Sequence, residues 1–168
     1  MTNTIQILSI EKTGKESSLQ KEHNNKSIKI IDGYFFSTNL DDQKFTKISK
    51  LISNDVSQTI LTKKNVNKVL SSYSNFNWVV EIKFLPGVTD NIATTVKEVI
   101  KDNLKSSFKS FELGSTKIIL IKGRKVDITK LSKNEANPLF QTIKIYPFNQ
   151  YLNNFNIFLL KLEKFILG

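Results

Sequence analysis

Residues 78–91 read WVVEIKFLPGVTDN, and this stretch decides the fold. Its first seven residues are rich in β-branched and aromatic types, which favour a strand. Pro86-Gly87 cannot easily continue that strand and favours a turn. Thr89 or Asp90 then begins a helix, because both residue types cap helix N-termini. The apolar stripe of this helix consists of Ile92, Val96, Val99, Ile100 and Leu104.

The rest of the second half adds three strands and a helix. The predicted elements are strands at 108–113 and 117–121 around Gly114-Ser115, a short helix capped by Asp127, and a strand at 139–146. The short helix ends before Asn137-Pro138, because proline disfavours helix at the residue before it. Residues 78–146 therefore run strand, helix, strand, strand, helix, strand, which is the order of a ferredoxin-like unit.

The first half, residues 1–62, has a sparser pattern. The predicted elements are a strand at 4–11, a polar loop at 12–27, apolar runs at 28–31 and 34–37 around Asp32-Gly33, a helix capped by Thr38 or Asn39, and a strand at 59–62. An Asp-Gly pair between apolar runs predicts a hairpin turn. Asp41 and Asp42 fall in the first turn of the helix, where its dipole favours anions.

An internal repeat relates the two halves. Residues 53–60 match residues 136–143 at an offset of 83, with Asn, Gln, Thr and Ile identical. The alternative is a chance similarity between two helix-to-strand turns. If the repeat is real, the first half has lost its long helix, because residues 12–27 have no apolar stripe. Residues 63–77, rich in Lys, Asn and Ser, are then the connection, and residues 147–168 are a C-terminal tail.

Composition excludes several classes of site. The chain has 168 residues, one histidine (His23) and no cysteine, so it has no disulfide, no thiolate nucleophile and no cysteine-built zinc site. No catalytic residue, metal ligand or cofactor is predicted, and His23 is expected to be an exposed side chain. The apolar runs reach four residues, so no transmembrane helix is expected. The N-terminus lacks a signal-peptide pattern, which favours a cytoplasmic protein.

The net charge of +10 suggests a polyanionic partner, but its composition argues against nucleic acid. The chain has 24 lysines and one arginine, Arg124, and the charge is not concentrated in a block. Arginine is the residue that binds phosphate and guanine bidentately, so a dedicated reader of nucleic acid would be expected to have several. A solvated lysine-rich surface is the favoured interpretation, with nucleic-acid binding as an alternative.

Two segments carry a resemblance to a known family. The first is residues 78–91 with the helix after them, and the second is the turn Asn137-Pro138-Leu139-Phe140-Gln141. Both resemble the PurS-like N-terminal region of phosphoribosylformylglycinamidine synthase, the glutamine-dependent ligase of purine biosynthesis. The resemblance covers about residues 28–146. In fused members of that family this region is a pair of PurS-like halves, which matches the internal repeat. The resemblance implies an α+β fold of two tandem ferredoxin-like halves forming a pseudo-dimer, the first half degenerate.

The resemblance also implies a structural role. In that family the PurS-like part braces the synthetase and glutaminase domains and assists ammonia transfer between them, while other domains hold the nucleotide site and the glutaminase nucleophile. The implied partners are therefore the synthetase and glutaminase components, with a homo-oligomer as a further possibility. A small-molecule regulatory module is an alternative, because ligand-sensing domains share this order of elements.

The end of the chain departs from the family. Fused members continue into a large catalytic region, whereas this sequence stops at Gly168, so it is either a free-standing PurS-like pair or a piece of a longer synthase. Its tail has an apolar stripe at helical spacing, formed by Tyr151, Phe155, Phe158, Leu162 and Phe165. This predicted helix packs on its own sheet, docks to another subunit or is a frayed end.

Three features remain to be interpreted, and two of them have both a structural and a functional interpretation. Pro86, Gly87 and Asp90 either shape the turn and cap the helix, which we favour, or hold an anion at the helix N-terminus. Asn137 and Pro138 are interpreted as structural residues of the turn into the last strand. Trp78 is interpreted as a core or subunit-interface residue, the alternative being a platform that stacks a base.

Overall fold

The computed structural model describes residues 5–11 (backbone), 28–37, 40–53, 58–62, 65, 68, 76–104 and 111–150. In chain order the elements are β1 (Ile5–Glu11), β2 (Ile28–Phe36), α1 (Asp42–Ile52), β3 (Gln58–Ile60), β4 (Trp78–Phe84), α2 (Asn91–Asn103), β5 (Leu113–Ile121), α3 (Lys125–Glu135) and β6 (Gln141–Pro147). The fold is α+β, as predicted.

The strands form one antiparallel sheet in the order β3-β1-β2-β5-β4-β6. Of the strands that the structure describes, the three before residue 63 occupy one side of this sheet, and the three after residue 77 occupy the other. They meet at β2 and β5, which pair along nine residues each, from Ile28 opposite Ile121 to Phe36 opposite Leu113. The two parts of the chain therefore share a continuous sheet.

Both sides of the sheet have the same internal arrangement. From β2 outward the order is β1 and then β3, which are the first and last strands of the first half. From β5 outward the order is β4 and then β6, which are the first and last strands of the second half. Helix α1 begins at residue 42 and α3 at residue 125, while β3 begins at 58 and β6 at 141, so both pairs lie 83 residues apart. This is the offset of the sequence repeat.

The predicted hairpin at Asp32-Gly33 is wrong. Both residues lie inside β2, where Asp32 is paired with Ser9 of β1 on one side and with Lys117 of β5 on the other. Neighbouring strands on both sides satisfy the backbone groups of β2, so the chain has no need to turn there.

The predicted strand pair around Gly114-Ser115 is also wrong. Gly114 and Ser115 lie inside the single strand β5, opposite Phe35 and Tyr34. Residues 105–110 lie outside the described part of the chain. The described elements of the second half therefore run strand, helix, strand, helix, strand, and β2 of the first half lies beside β5, where the predicted partner strand was expected.

Two helix caps differ from those predicted. Helix α1 is capped by Asp41, whose carboxylate accepts a hydrogen bond from the Lys44 backbone N–H at 2.7 Å. Helix α3 follows Arg124, and Asp127 lies in its first turn, where it accepts a hydrogen bond from the Arg124 guanidinium at 3.0 Å. In both cases an acidic residue still stabilises the N-terminal turn.

The three helices in the described part of the chain pack on one face of the sheet, over two apolar clusters. The first joins α1 and α2 to one end of β2 and β5, and it contains Tyr34, Phe36, Leu40, Ile48, Ala93, Ile100, Phe111 and Leu113. The second lies under α3, and it contains Ile28, Ile30, Val80, Ile82, Ile119, Ile121, Ile128, Leu131 and Ala136. The opposite face also carries buried side chains, among them Ile31, Val79, Ile118 and Leu120.

Several predictions lie outside the described residues. These are the polar loop at 12–27 with His23 and the tail stripe from Tyr151 to Phe165. The boundaries predicted at 62/63 and 77/78 stay predictions. Among the helices that the structure describes, none is long and apolar enough to cross a membrane.

Candidate functional site at the motif end of the sheet

The turn after β4 has the geometry that its sequence predicts. The Val88 backbone N–H donates a hydrogen bond to the Leu85 carbonyl at 3.1 Å, which closes a four-residue turn. Gly87, its third residue, has a φ of 80°, and Pro86 precedes it. Proline at the second position and glycine with positive φ at the third are typical of a type II turn. Pro86 and Gly87 therefore shape the turn.

Asp90 caps α2 and also ties it to the sheet. Its carboxylate accepts hydrogen bonds from the Ala93 backbone N–H at 2.9 Å and from the Ser115 backbone N–H at 2.7 Å. The Ser115 hydroxyl donates to both carboxylate oxygens of Asp90 at 2.9 Å. The pairing of β4 with β5 stops at Thr116, and Asp90 binds the next backbone N–H. This negative charge occupies the helix N-terminus where an anion would bind, in agreement with a capping role.

The second motif forms the turn from α3 into β6. Asn137 organises it, because its side chain accepts a hydrogen bond from the Leu139 N–H at 3.0 Å and its carbonyl accepts one from the Gln141 N–H at 2.8 Å. The Leu85 N–H then donates to the Phe140 carbonyl at 2.7 Å. This bond joins the two motifs, residues 85–90 and 137–140, at one end of the sheet, which we call the motif end.

Large apolar side chains are exposed at the motif end. Leu139 is 75% exposed and Phe140 is 48% exposed, although both lie in the turn next to β6. Ile92, in the first turn of α2, is 54% exposed. Neighbouring exposed apolar side chains such as Leu139 and Phe140 are typical of surfaces that bind other proteins.

A group of polar side chains interrupts the apolar face of the sheet beside the motif end. Asp32 lies opposite Lys117, and Tyr34 lies opposite Ser115, so these four residues form a block on the two central strands. We call this block the polar window. It lies between the rest of the apolar cluster under α1 and α2, to which Tyr34 itself belongs, and the cluster under α3.

The polar window opens into a pocket of about 70 Å³, which we call the central pocket. Gln141 at the start of β6 adds an amide to its polar wall, and the apolar wall is formed by Ile82, Phe84 and Ile92. The Lys117 ammonium lies 3.3 Å from a carboxylate oxygen of Glu135, which ties this wall to α3. The pocket therefore combines both signs of charge with apolar surface.

Tyr34 is the titratable group of this pocket with a strongly shifted pKa. Burial, followed by the nearby Asp32 and Asp90 carboxylates, raises the pKa of Tyr34 to about 12. A phenolate is disfavoured where water is excluded and where negative charges lie nearby. The Tyr34 hydroxyl therefore stays protonated at neutral pH and can donate a hydrogen bond.

Trp78 lies at the start of β4, at the other end of that strand from the motif turn. Its indole N–H donates to the Gly123 carbonyl at 3.0 Å, and its ring packs against the cluster under α3. The Lys125 ammonium lies 5.6 Å from the centre of the ring. These contacts account for Trp78 as a packing residue of the β5–α3 connection.

The structure thus brings Pro86, Gly87, Asp90, Asn137 and Pro138 together, and it adds residues that sequence reasoning missed. Asp32, Ser115 and Lys117 were not recognised as a group, because they lie far apart in the chain. The available signal is a polar interruption in two strongly apolar strands, which by its composition alone predicts two turns. No group of three or more His, Cys, Asp or Glu side chains suited to a metal ion occurs among the described residues. Comparisons of the chain with family models, curated proteins and solved structures return no match.

Proposed function

We propose that the chain is a non-catalytic, PurS-like scaffold of phosphoribosylformylglycinamidine synthase in de novo purine biosynthesis. It consists of two ferredoxin-like halves side by side in one sheet, the first half degenerate. Its role is to hold the glutaminase and synthetase components together so that ammonia passes from one to the other.

The arrangement of the strands supports the two-half architecture. Each side of the sheet has the same order outward from the β2–β5 pair, and the helix-to-strand segments of the two halves lie 83 residues apart. A duplicated unit whose copies pair along equivalent central strands gives such an order. The repeat between residues 53–60 and 136–143 is independent support, because it was found from residue identities.

The observation that carries the proposed role is the exposed apolar surface of the motif end. The two segments that resemble the family meet there through the Leu85–Phe140 hydrogen bond, and they present Leu139 and Phe140 to solvent. Burying such side chains against another protein is favourable by roughly 25 cal/mol for each Å² of apolar surface. A scaffold that acts through protein contacts needs such a surface, and it needs no reactive group of its own.

The composition is consistent with this role. Glutamine hydrolysis of this type uses a cysteine thiolate, and the chain has no cysteine. In this account the ammonia is therefore made by another component, and the chain contributes position alone.

Co-migration with the two catalytic components tests the proposal. We expect the chain to elute with the glutaminase and synthetase components in size-exclusion chromatography. The double variant Leu139→Ser/Phe140→Ser should bind at least about tenfold more weakly, because truncating buried interface anchors costs more than about 1.4 kcal/mol. Val126→Ser is the matched control, since Val126 is 64% exposed but lies at the opposite end of α3. Separate elution of the unmodified chain would contradict the proposal.

A further inference from the structure

The polar window stands where side-chain alternation along both strands predicts apolar residues. The face of β2 that carries Asp32 also carries three buried apolar residues, Ile28, Ile30 and Phe36. On the corresponding face of β5, polar residues Ser115 and Lys117 lie between apolar residues, which are Leu113 on one side and Ile119 and Ile121 on the other. Polar groups on a core-facing surface cost stability unless they gain partners. The polar window breaks the local pattern, and the places where local rules fail are expected to be functional or strained sites.

The contacts of the polar window hold its side chains in place. Ser115 is fixed by Asp90, and Lys117 is fixed by Glu135, whose side chain is 13% exposed. Asp32 accepts a hydrogen bond from the Gln58 side-chain amide at 3.4 Å. The cap of α2, the end of α3 and the edge strand β3 therefore set the geometry of the pocket wall. A binding site needs polar groups that are oriented before the ligand arrives, because ordering them on binding reduces affinity.

We propose that the central pocket binds a free amino acid with a short side chain. Its wall presents a carboxylate, Asp32, and an ammonium group, Lys117, on directly opposed residues of neighbouring strands. Such residues have Cβ atoms about 5 Å apart, so one small molecule can contact both. An amino acid carries the complementary pair of charges on adjacent groups.

The size of the pocket limits the ligand. A volume of about 70 Å³ accepts about five water-sized groups if each takes roughly 15 Å³. Glycine has five non-hydrogen atoms, and alanine has six. Asp32 faces the ammonium group of the ligand and Lys117 its carboxylate, while the Tyr34 and Ser115 hydroxyls lie beside them. A volume of about 70 Å³ therefore leaves room for a hydrogen atom or a methyl group as the side chain, which would lie against Phe84 and Ile92.

This site is independent of the scaffold role, and binding to the isolated full chain tests it. The probes are glycine, L-alanine, L-phenylalanine, acetate and methylammonium, titrated into the protein while backbone amide signals are followed by NMR. We expect saturable shifts at Gly33, Ser115 and Thr116 with glycine and L-alanine. Acetate and methylammonium each carry one of the two charges, so they should bind at least about tenfold more weakly. L-Phenylalanine should not bind at the pocket.

Variants localise the site. Asp32→Asn and Lys117→Met should each weaken glycine binding at least about tenfold. Lys97→Met is the control, because Lys97 forms a comparable ion pair with Glu112 at 3.4 Å outside the central pocket. Absence of saturable glycine and alanine binding to the unmodified chain would overturn the proposal, whether or not a variant folds. Equal binding of acetate or methylammonium, or an effect of Lys97→Met as large as that of Lys117→Met, would overturn it as well.

Discussion

Asp32 of β2 lies directly opposite Lys117 of β5, on the pair of strands where the two halves of the chain meet. Opposite charges on directly opposed residues stabilise this pairing of the strands. A slip of one residue would separate the two charges and would move every side chain to the other face of the sheet. The same pair forms part of the wall of the central pocket. The Asp32–Lys117 pair thus contributes both to the pairing of β2 with β5 and to the proposed binding site.

Replacing Asp90 is expected to destabilise the protein more than replacing an ordinary helix cap. Asp90→Ala removes the cap of α2 and the hydrogen bonds from Ser115, so we expect a loss of about 3 kcal/mol in the free energy of unfolding. Asp41→Ala removes a cap hydrogen bond to Lys44 and should cost about 1 kcal/mol. Urea unfolding of both variants measures the difference. Equal losses would show that the Asp90–Ser115 link contributes nothing.

Gly87 is expected to matter for its backbone conformation. Its φ of 80° is disfavoured for residues with a Cβ atom, so Gly87→Ala should cost about 1–2 kcal/mol. No atom lies within 4 Å of the position that a Cβ would take, so crowding adds nothing. Gly87→Asn should cost less, because asparagine adopts positive φ more readily. Thermal unfolding compares the three proteins, and an alanine variant as stable as the unmodified chain would contradict the assigned turn.

The raised pKa of Tyr34 predicts a loss of stability at alkaline pH. The folded protein holds the Tyr34 proton up to about pH 12, whereas an unfolded tyrosine loses it near 10. The stabilisation is therefore complete below pH 10 and falls as the pH rises from 10 to 12, by on the order of 2 kcal/mol. Tyr34→Phe lacks this contribution. Urea unfolding between pH 8 and about 11 should show a shallower decline for Tyr34→Phe, and parallel declines would contradict the burial of the hydroxyl.

Local signals predicted the motif end well, because turns and caps depend on residues close in sequence. Pro86-Gly87 and Asp90 define the β4–α2 turn through contacts within four residues, so the sequence alone identifies them. The link from Asp90 to Ser115 spans 25 residues, and no local rule predicts it. The turn Asn137-Pro138 was likewise recognised, whereas its bond to Leu85 was not.

The two wrong turns have a common physical cause. Asp32-Gly33 and Gly114-Ser115 have the composition of turns. The first pair lies inside β2 and the second inside β5, and these two strands are neighbours in the middle of the sheet. Polar residues within an apolar run are often found in a turn. Here the polar residues of two paired strands instead lie side by side and line a pocket. Distinguishing these cases requires the strand pairing, which for these four residues joins positions 79 to 85 residues apart.

We propose that the chain acts as a scaffold of the purine synthase through its motif end. The direct measurement is glutamine-dependent ligase activity of the glutaminase and synthetase components, with and without the full chain. We predict that the chain raises this activity, that Val126→Ser does so equally, and that Leu139→Ser/Phe140→Ser does not. Ligase activity that is unchanged by the unmodified chain, or restored equally by all three proteins, would contradict the account.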